Sequence, residues 1–231
     1  MPALFIDSCS NLKSILEKSE SLPPHYWLVS YLECYDTSGW DGCEKWGKCS
    51  FILTDEELKK DIYLRDMQFI WGVFSAIPNE YSPKEIEKYT LPELENPNYM
   101  ANHINPQHPL ACLEISIWDG SYTYICAHDE DILKPFEEVP YKVIDAEKDN
   151  QTMNGELCRI QDILRGMVPN VSEAVANDLQ WECWHTLFRE KAGKSEISDE
   201  KIERTIKKAY GKISTEGYRF RYTYWNPYDQ K

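Results

Sequence analysis

The pair Asp119-Gly120 lies between two stretches that alternate apolar and polar residues, ACLEISIW (111–118) and SYTYICAH (121–128). An Asp-Gly pair supplies the positive backbone angles that a tight hairpin turn demands, so this segment is committed to two antiparallel strands. A two-residue turn would set Trp118 opposite Ser121, Ile117 opposite Tyr122, Ile115 opposite Tyr124 and Leu113 opposite Cys126. One face of the hairpin then carries Leu113, Ile115, Ile117, Tyr122, Tyr124, Cys126 and His128 and reads as core, and the other carries Glu114, Ser116, Trp118 and Thr123. An antiparallel hairpin needs further strands or helices on its apolar face to be stable.

The rest of the chain supplies them. HYWLVSYLECY (25–35) alternates like a strand, and WGKCSFILT (46–54) reads as the strand returning beside it. MQFIWGVFSAIP (67–78) is apolar almost throughout, as expected of a central strand buried on both faces and stopped by proline. PYKVIDAE (140–147) contributes another short strand. Between them, Leu12, Ile15 and Leu16 place a helix over 8–20, and Pro23-Pro24 ends it. Thr54-Asp-Glu-Glu57 and Ser82-Pro-Lys-Glu85 are capping boxes, predicting helices over 55–65 and 83–90. DEDILKPFEEV (129–139) opens as an acid-capped helix. Residues 91–109 hold four prolines and four asparagines and read as a long ordered loop. The order strand, Trp-Asp-Gly turn, strand, acid-capped helix occurs around both Trp40 and Trp118, a faint echo of duplication.

At AEKDNQTMNG (146–155) the composition turns polar and the charge changes. Residues 1–150 contain 12 Lys+Arg against 27 Asp+Glu, a net of −15, whereas residues 151–231 contain 13 against 12, a net of +1. This places a boundary between an acidic sheet domain, 1–150, and a mainly helical section, 151–231. Helices are expected in that section over 155–166, 172–192 and 199–212, with YRFRYTYW (218–225) as a closing strand. The fold class expected is α+β, a mostly antiparallel sheet of about five to seven strands with packed helices and a helical C-terminal section.

Composition narrows the function classes. An overall charge of −14 lacks the basic face that phosphate recognition requires, so nucleic acid is not an expected partner. No apolar run is long enough to span a membrane. The first residues, MPALFIDSCSNLKSIL, lack a basic leader region and Asp7 interrupts their apolar run, so a cytoplasmic protein with reduced thiols is expected.

Catalytic signatures are sparse. Neither phosphate-cradling glycine loops nor a nucleophile elbow occurs. Cys43 and Cys49 are spaced too widely for a short zinc turn, and Cys183 and His185 point about 200° apart on a helix, so neither a metal site nor another cofactor is expected. A spatially assembled Cys/His or His/carboxylate hydrolase site is the enzymatic alternative, with His103 and His108, in the loop, as its exposed candidates.

The stretch SGWDGCEKWGKC (38–49) reads as the tip of a hairpin whose tryptophans are packed or bound. The leading expectation is a non-enzymatic soluble binding protein that presents an acidic, aromatic-bearing surface to a basic protein partner, as proteins that neutralise a basic toxin do. Trp40, Asp41, Glu44, Trp46, Trp118 and Asp119 are its contact candidates. A scaffold subunit is the third reading.

Overall fold

The computed structural model describes residues 3–7, 12–36, 50–64, 67–187 and 197–216. By backbone contacts the chain divides into two compact units, residues 1–150 and 151–231. The first unit is built on a seven-stranded sheet in which every neighbouring pair is antiparallel. Its strands are β1 (Ala3–Asp7), β2 (His25–Asp36), β3 (Ser50–Thr54), β4 (Met67–Pro78), β5 (Leu113–Trp118), β6 (Tyr122–Ala127) and β7 (Lys142–Asp145), in the order β3-β2-β4-β5-β6-β1-β7. With the helices of both units this is the α+β class.

Apolar residues at every second position send one side of the sheet into a core with Leu4, Ile6, Trp27, Val29, Phe74, Ile115 and Ile125. Helices cover this side. Leu12, Ile15 and Leu16 come from α1 (Leu12–Lys18), Leu58 and Ile62 from α2 (Asp55–Leu64), and Leu133 from α4 (Glu130–Leu133). The first capping box forms as its residues dictate: the Glu57 carboxylate accepts from the Thr54 N–H at 2.9 Å, and Thr54 Oγ1 accepts from the Glu57 N–H at 3.2 Å. The second opens α3, and the Ser82 N–H donates to Glu85 at 2.8 Å. That helix is only Pro83–Ile86, shorter than the capping signal suggests. Of its residues and the five that follow, only Ile86 is buried, so further turns would have no face to cover.

The opposite side of the sheet is covered by α3 and by the irregular residues 91–110, here termed the strap. Lacking a ladder of its own, the strap has its backbone groups met by side chains. Ser30 Oγ donates to the Pro92 carbonyl at 2.7 Å. Asn150 Nδ2 donates to the carbonyls of Tyr99 and Ala101 at 2.8 and 2.9 Å, and Glu147 accepts from the Ile104 N–H at 2.8 Å. Asn150 and Glu147 belong to the polar stretch that reads in the sequence as a boundary. In the structure that stretch is the first turns of a helix, α5 (Ala146–Met167), which begins about nine residues earlier than periodicity alone suggests.

Two strand assignments differ from expectation. The interrupted apolar run at the N-terminus is β1, which pairs with β6 on one side and β7 on the other. The hairpin is offset by one residue: Trp118 lies opposite Tyr122, Ile117 opposite Thr123 and Ile115 opposite Ile125. Asp119 and Gly120 do take positive φ values of 50° and 59°, but Ser121 joins them in the loop. The shift exchanges the two faces of β6. Ile125 and Ala127 enter the helix-covered core, whereas Tyr124 and Cys126 turn towards the strap. The register is set from outside the hairpin, because Leu4 and Ile6 of β1, opposite Ile125 and Thr123, belong to the helix-covered core.

In the second unit, α5 continues and is followed by α6 (Glu173–Leu187) and α7 (Asp199–Glu216). Its core joins Ile160 and Leu164 to Leu179, Cys183 and Leu187 of α6 and to Ile202 and Ile206 of α7. Arg159 ties the turn before α7 by donating to the Ile197 carbonyl at 2.7 Å and to Asp199 at 2.9 Å. The closing strand expected over 218–225 lies outside the described residues. Among the described residues no helix is long and apolar enough to cross a membrane.

Candidate partner-binding surface

The surface originates in a break in the alternation of β2. Trp27 and Val29 point into the helix-covered core. Unbroken alternation would send Tyr31, Glu33 and Tyr35 after them and bury a carboxylate. Instead the register against β4 shifts between Ser30 and Glu33 and again between Glu33 and Cys34, and Tyr31 takes a φ of 50°. Such a bulge inserts a residue and reverses which side chains face inward. Beyond it Leu32 and Cys34 pack on the core, and Tyr31, Glu33 and Tyr35 are exposed.

The outward strip is organised. Tyr31 and Tyr35 are 40% and 55% exposed, large values for aromatic side chains in a sheet. Tyr31 Oη donates to Glu95 at 3.2 Å, and Tyr35 Oη donates to Glu33 at 2.7 Å. Burial first, and then the Glu95 and Glu93 charges, raise the Tyr31 phenol above its ordinary range. The bond to Glu33 does the same for Tyr35. Glu33, Glu93 and Glu95 are exposed, and among the described residues none of them is in an ion pair. The strip therefore offers carboxylates fixed by phenols, with π-faces beside them.

Glu33 stands opposite Trp71 of β4, and Trp71 meets Trp118 edge to face with ring centroids 6.3 Å apart. Trp118 corrects an expectation. It is half-buried, packed on Tyr99 at 5.5 Å and Tyr124 at 5.9 Å, and belongs to the cluster beneath the strap rather than to an open contact surface. Asp119 is exposed in the hairpin loop. Trp40, Asp41, Glu44 and Trp46, with the whole stretch 38–49, lie outside the described residues.

His108 is a second correction: the loop that should expose it buries it completely. Its Nε2 lies 3.2 Å from the Ile86 carbonyl and its Nδ1 3.3 Å from the Leu110 N–H, so the neutral ring donates to one and accepts from the other. Burial, the larger effect, lowers its pKa against the raising influence of the carbonyl. No thiol or carboxylate is among these partners. His103 is exposed, with Nδ1 3.6 Å from Glu147 Oε2, while the other oxygen of Glu147 holds the strap.

Burial makes Cys34, Cys112, Cys126 and Cys183 poor nucleophiles. Burial pushes the Cys34 thiol up to about 11 and the Cys183 thiol to about 12. Among the described residues no three His, Cys, Asp or Glu side chains converge as metal ligands. A cavity of about 380 Å³ between β2, β3 and α3 is lined mainly by apolar groups, including Tyr26, Leu28, Ile52 and Ile86, and among the described residues by neither histidine nor cysteine.

Tyr31, Glu33, Tyr35, Glu93 and Glu95 were not among the residues expected from the sequence. Their signal was present as a phase slip, the core positions passing from Trp27 and Val29 to Leu32 and Cys34. Comparison with protein-family models, with curated proteins and with solved structures finds no match to this chain.

Proposed function

We propose that this chain is a non-enzymatic binding protein that presents an acidic, aromatic-bearing surface to a basic protein partner, in the manner of proteins that neutralise a basic toxin, and that it works in the cytoplasm. The observation that carries the reading is the strip Tyr31–Glu33–Tyr35, turned outward by the bulge and joined by Glu95 from the strap. Carboxylates of this kind receive arginine in charge-assisted, often paired, hydrogen bonds, and the adjacent phenol rings attract the same cation through their faces. The net −15 of residues 1–150 adds long-range steering of a positively charged partner. Trp40, Asp41, Glu44 and Trp46, which follow β2 in the chain, and Asp119 belong to the proposed contact set by their residue types.

The test is affinity capture from a lysate of the native cell, at low and then raised salt, with the wild-type chain and with a Tyr31→Ala/Tyr35→Ala/Glu95→Gln variant. The wild type is expected to retain a basic protein that salt releases, and the variant to lose it. Equal retention by both chains would remove the strip from the reading.

A further inference from the structure

We infer that the protonation state of Glu114 controls how firmly the strap is held to the sheet, and through the strap the presentation of Glu93 and Glu95 to a cationic partner. The second half of this inference rests on the binding function proposed above.

Glu114 projects from β5 beneath the strap and is completely buried. Four donors converge on it: Tyr99 Oη at 2.9 Å and Gln107 Nε2 at 3.2 Å reach Oε1, and the Gln107 N–H at 3.1 Å and Ser75 Oγ at 3.2 Å reach Oε2. Among the described residues the other titratable groups packed around it are Tyr99 of the strap and Cys126 of β6, with Glu147 of α5 acting on Cys126 from beyond. Ser75 and Ser116 supply hydroxyls from β4 and β5. None of these partners is a cation. A buried carboxylate facing only neutral donors and other acids is costly to ionise, and burial outweighs the four hydrogen bonds, raising the carboxyl above its usual range.

Both protonation states are satisfied in the closed structure. Ionised, Glu114 accepts from Tyr99. Protonated from solvent, it donates to Tyr99 Oη, and the close contact between Tyr99 and Ser116 lets Tyr99 donate onward to Ser116. The two states differ in their need for water, since only the ion gains from being reached by solvent. Strands β4, β5 and β6 are locked by their ladders, whereas the strap is held through side chains, so the strap is the side that opens.

Gln107 transmits the opening. Its Oε1 accepts from the Glu93 N–H at 3.1 Å and from Asn96 Nδ2 at 2.7 Å, and its Nε2 donates to the Glu93 carbonyl at 3.0 Å. The residues it grips enclose Glu95, which holds Tyr31.

The sign follows from linkage. The folded carboxyl titrates above its solvent-exposed value. Its contribution to closure is therefore complete below the ordinary carboxylate pKa and lost as pH rises to the folded pKa, beyond which closure is constant. Hydrogen exchange of the full chain, corrected for intrinsic exchange rates and followed upward in pH from the carboxylate range, reads this directly. Strap amides between Tyr99 and Gln107 are expected to lose protection by about tenfold per pH unit within that window, while β4 amides do not.

Glu114→Gln is expected to abolish the step. Because an amide at 114 also faces the Gln107 N–H, Tyr99→Phe serves as the second variant: with one donor to the ion removed, the plateau moves to higher pH. A wild-type strap whose protection is flat through the scan overturns the inference, whatever the variants do. Binding of a short oligo-arginine peptide, measured in parallel, is expected to weaken over the same window relative to Glu114→Gln, a comparison in which the ionisation of surface carboxylates cancels. Unchanged peptide affinity in Glu93→Gln/Glu95→Gln would overturn the link to binding and, with it, the surface reading, even where the strap step is present.

Discussion

The two sides of the sheet are covered by different physics. On one side helices lay apolar stripes onto Trp27, Phe74, Ile115 and Ile125, and the helices satisfy their own backbones. On the other side a strap with no ladder lies over Leu28, Cys126 and Tyr124, and its carbonyls and N–H groups are met by Ser30, Gln107, Asn150 and Glu147. The first cover is stabilised by area removed from water and is insensitive to any single contact's geometry. The second depends on individual hydrogen bonds between groups that water would otherwise serve, so each deletion exposes the cost of an unmet partner. A sheet built this way has a permanent side and an adjustable side. The proposed binding strip sits where the adjustable side reaches the bulge of β2.

Mutations separate the two sides. Phe74→Ala, in the helix-covered core beside Phe69, is expected to cost about 3–5 kcal/mol of global stability, seen as a lower urea midpoint with all amides losing protection together. A Phe74→Ala chain that lost only strap protection would break the distinction. Asn150→Ala strands two strap carbonyls and is expected to cost about 1–3 kcal/mol, concentrated in the strap. Hydrogen exchange would show the amides of 96–104 opening while those of β2 and β4 keep their protection. The smallest expected effect is Thr54→Ala, which removes the acceptor for the Glu57 N–H at the start of α2 and should cost about 1 kcal/mol by chemical denaturation. That change, lying under the permanent side, should leave the strap's pH response as it is in the wild type.

Features specified within a few residues were legible from the sequence. The α+β class, the hairpin at Asp119-Gly120, both capping boxes and the buried central strand MQFIWGVFSAIP follow from turn chemistry, caps and period. Those written across distant segments were not. The hairpin offset answers to β1, more than a hundred residues away in the chain, and the burial of His108 answers to the Ile86 carbonyl. Of the residues expected at the site, Trp118 is drawn under the strap, and the strip that replaces it depends on a bulge seen only against β4.

The sequence by itself determined most of the elements, though not β1, and that acidic charge gathers in residues 1–150, because propensity, capping and composition act locally or add without regard to arrangement. Only the tertiary structure decided which face each side chain takes and which polar groups meet. A one-residue change of register costs nothing locally and reverses every side chain along a strand, and its outcome is chosen by the neighbouring strand.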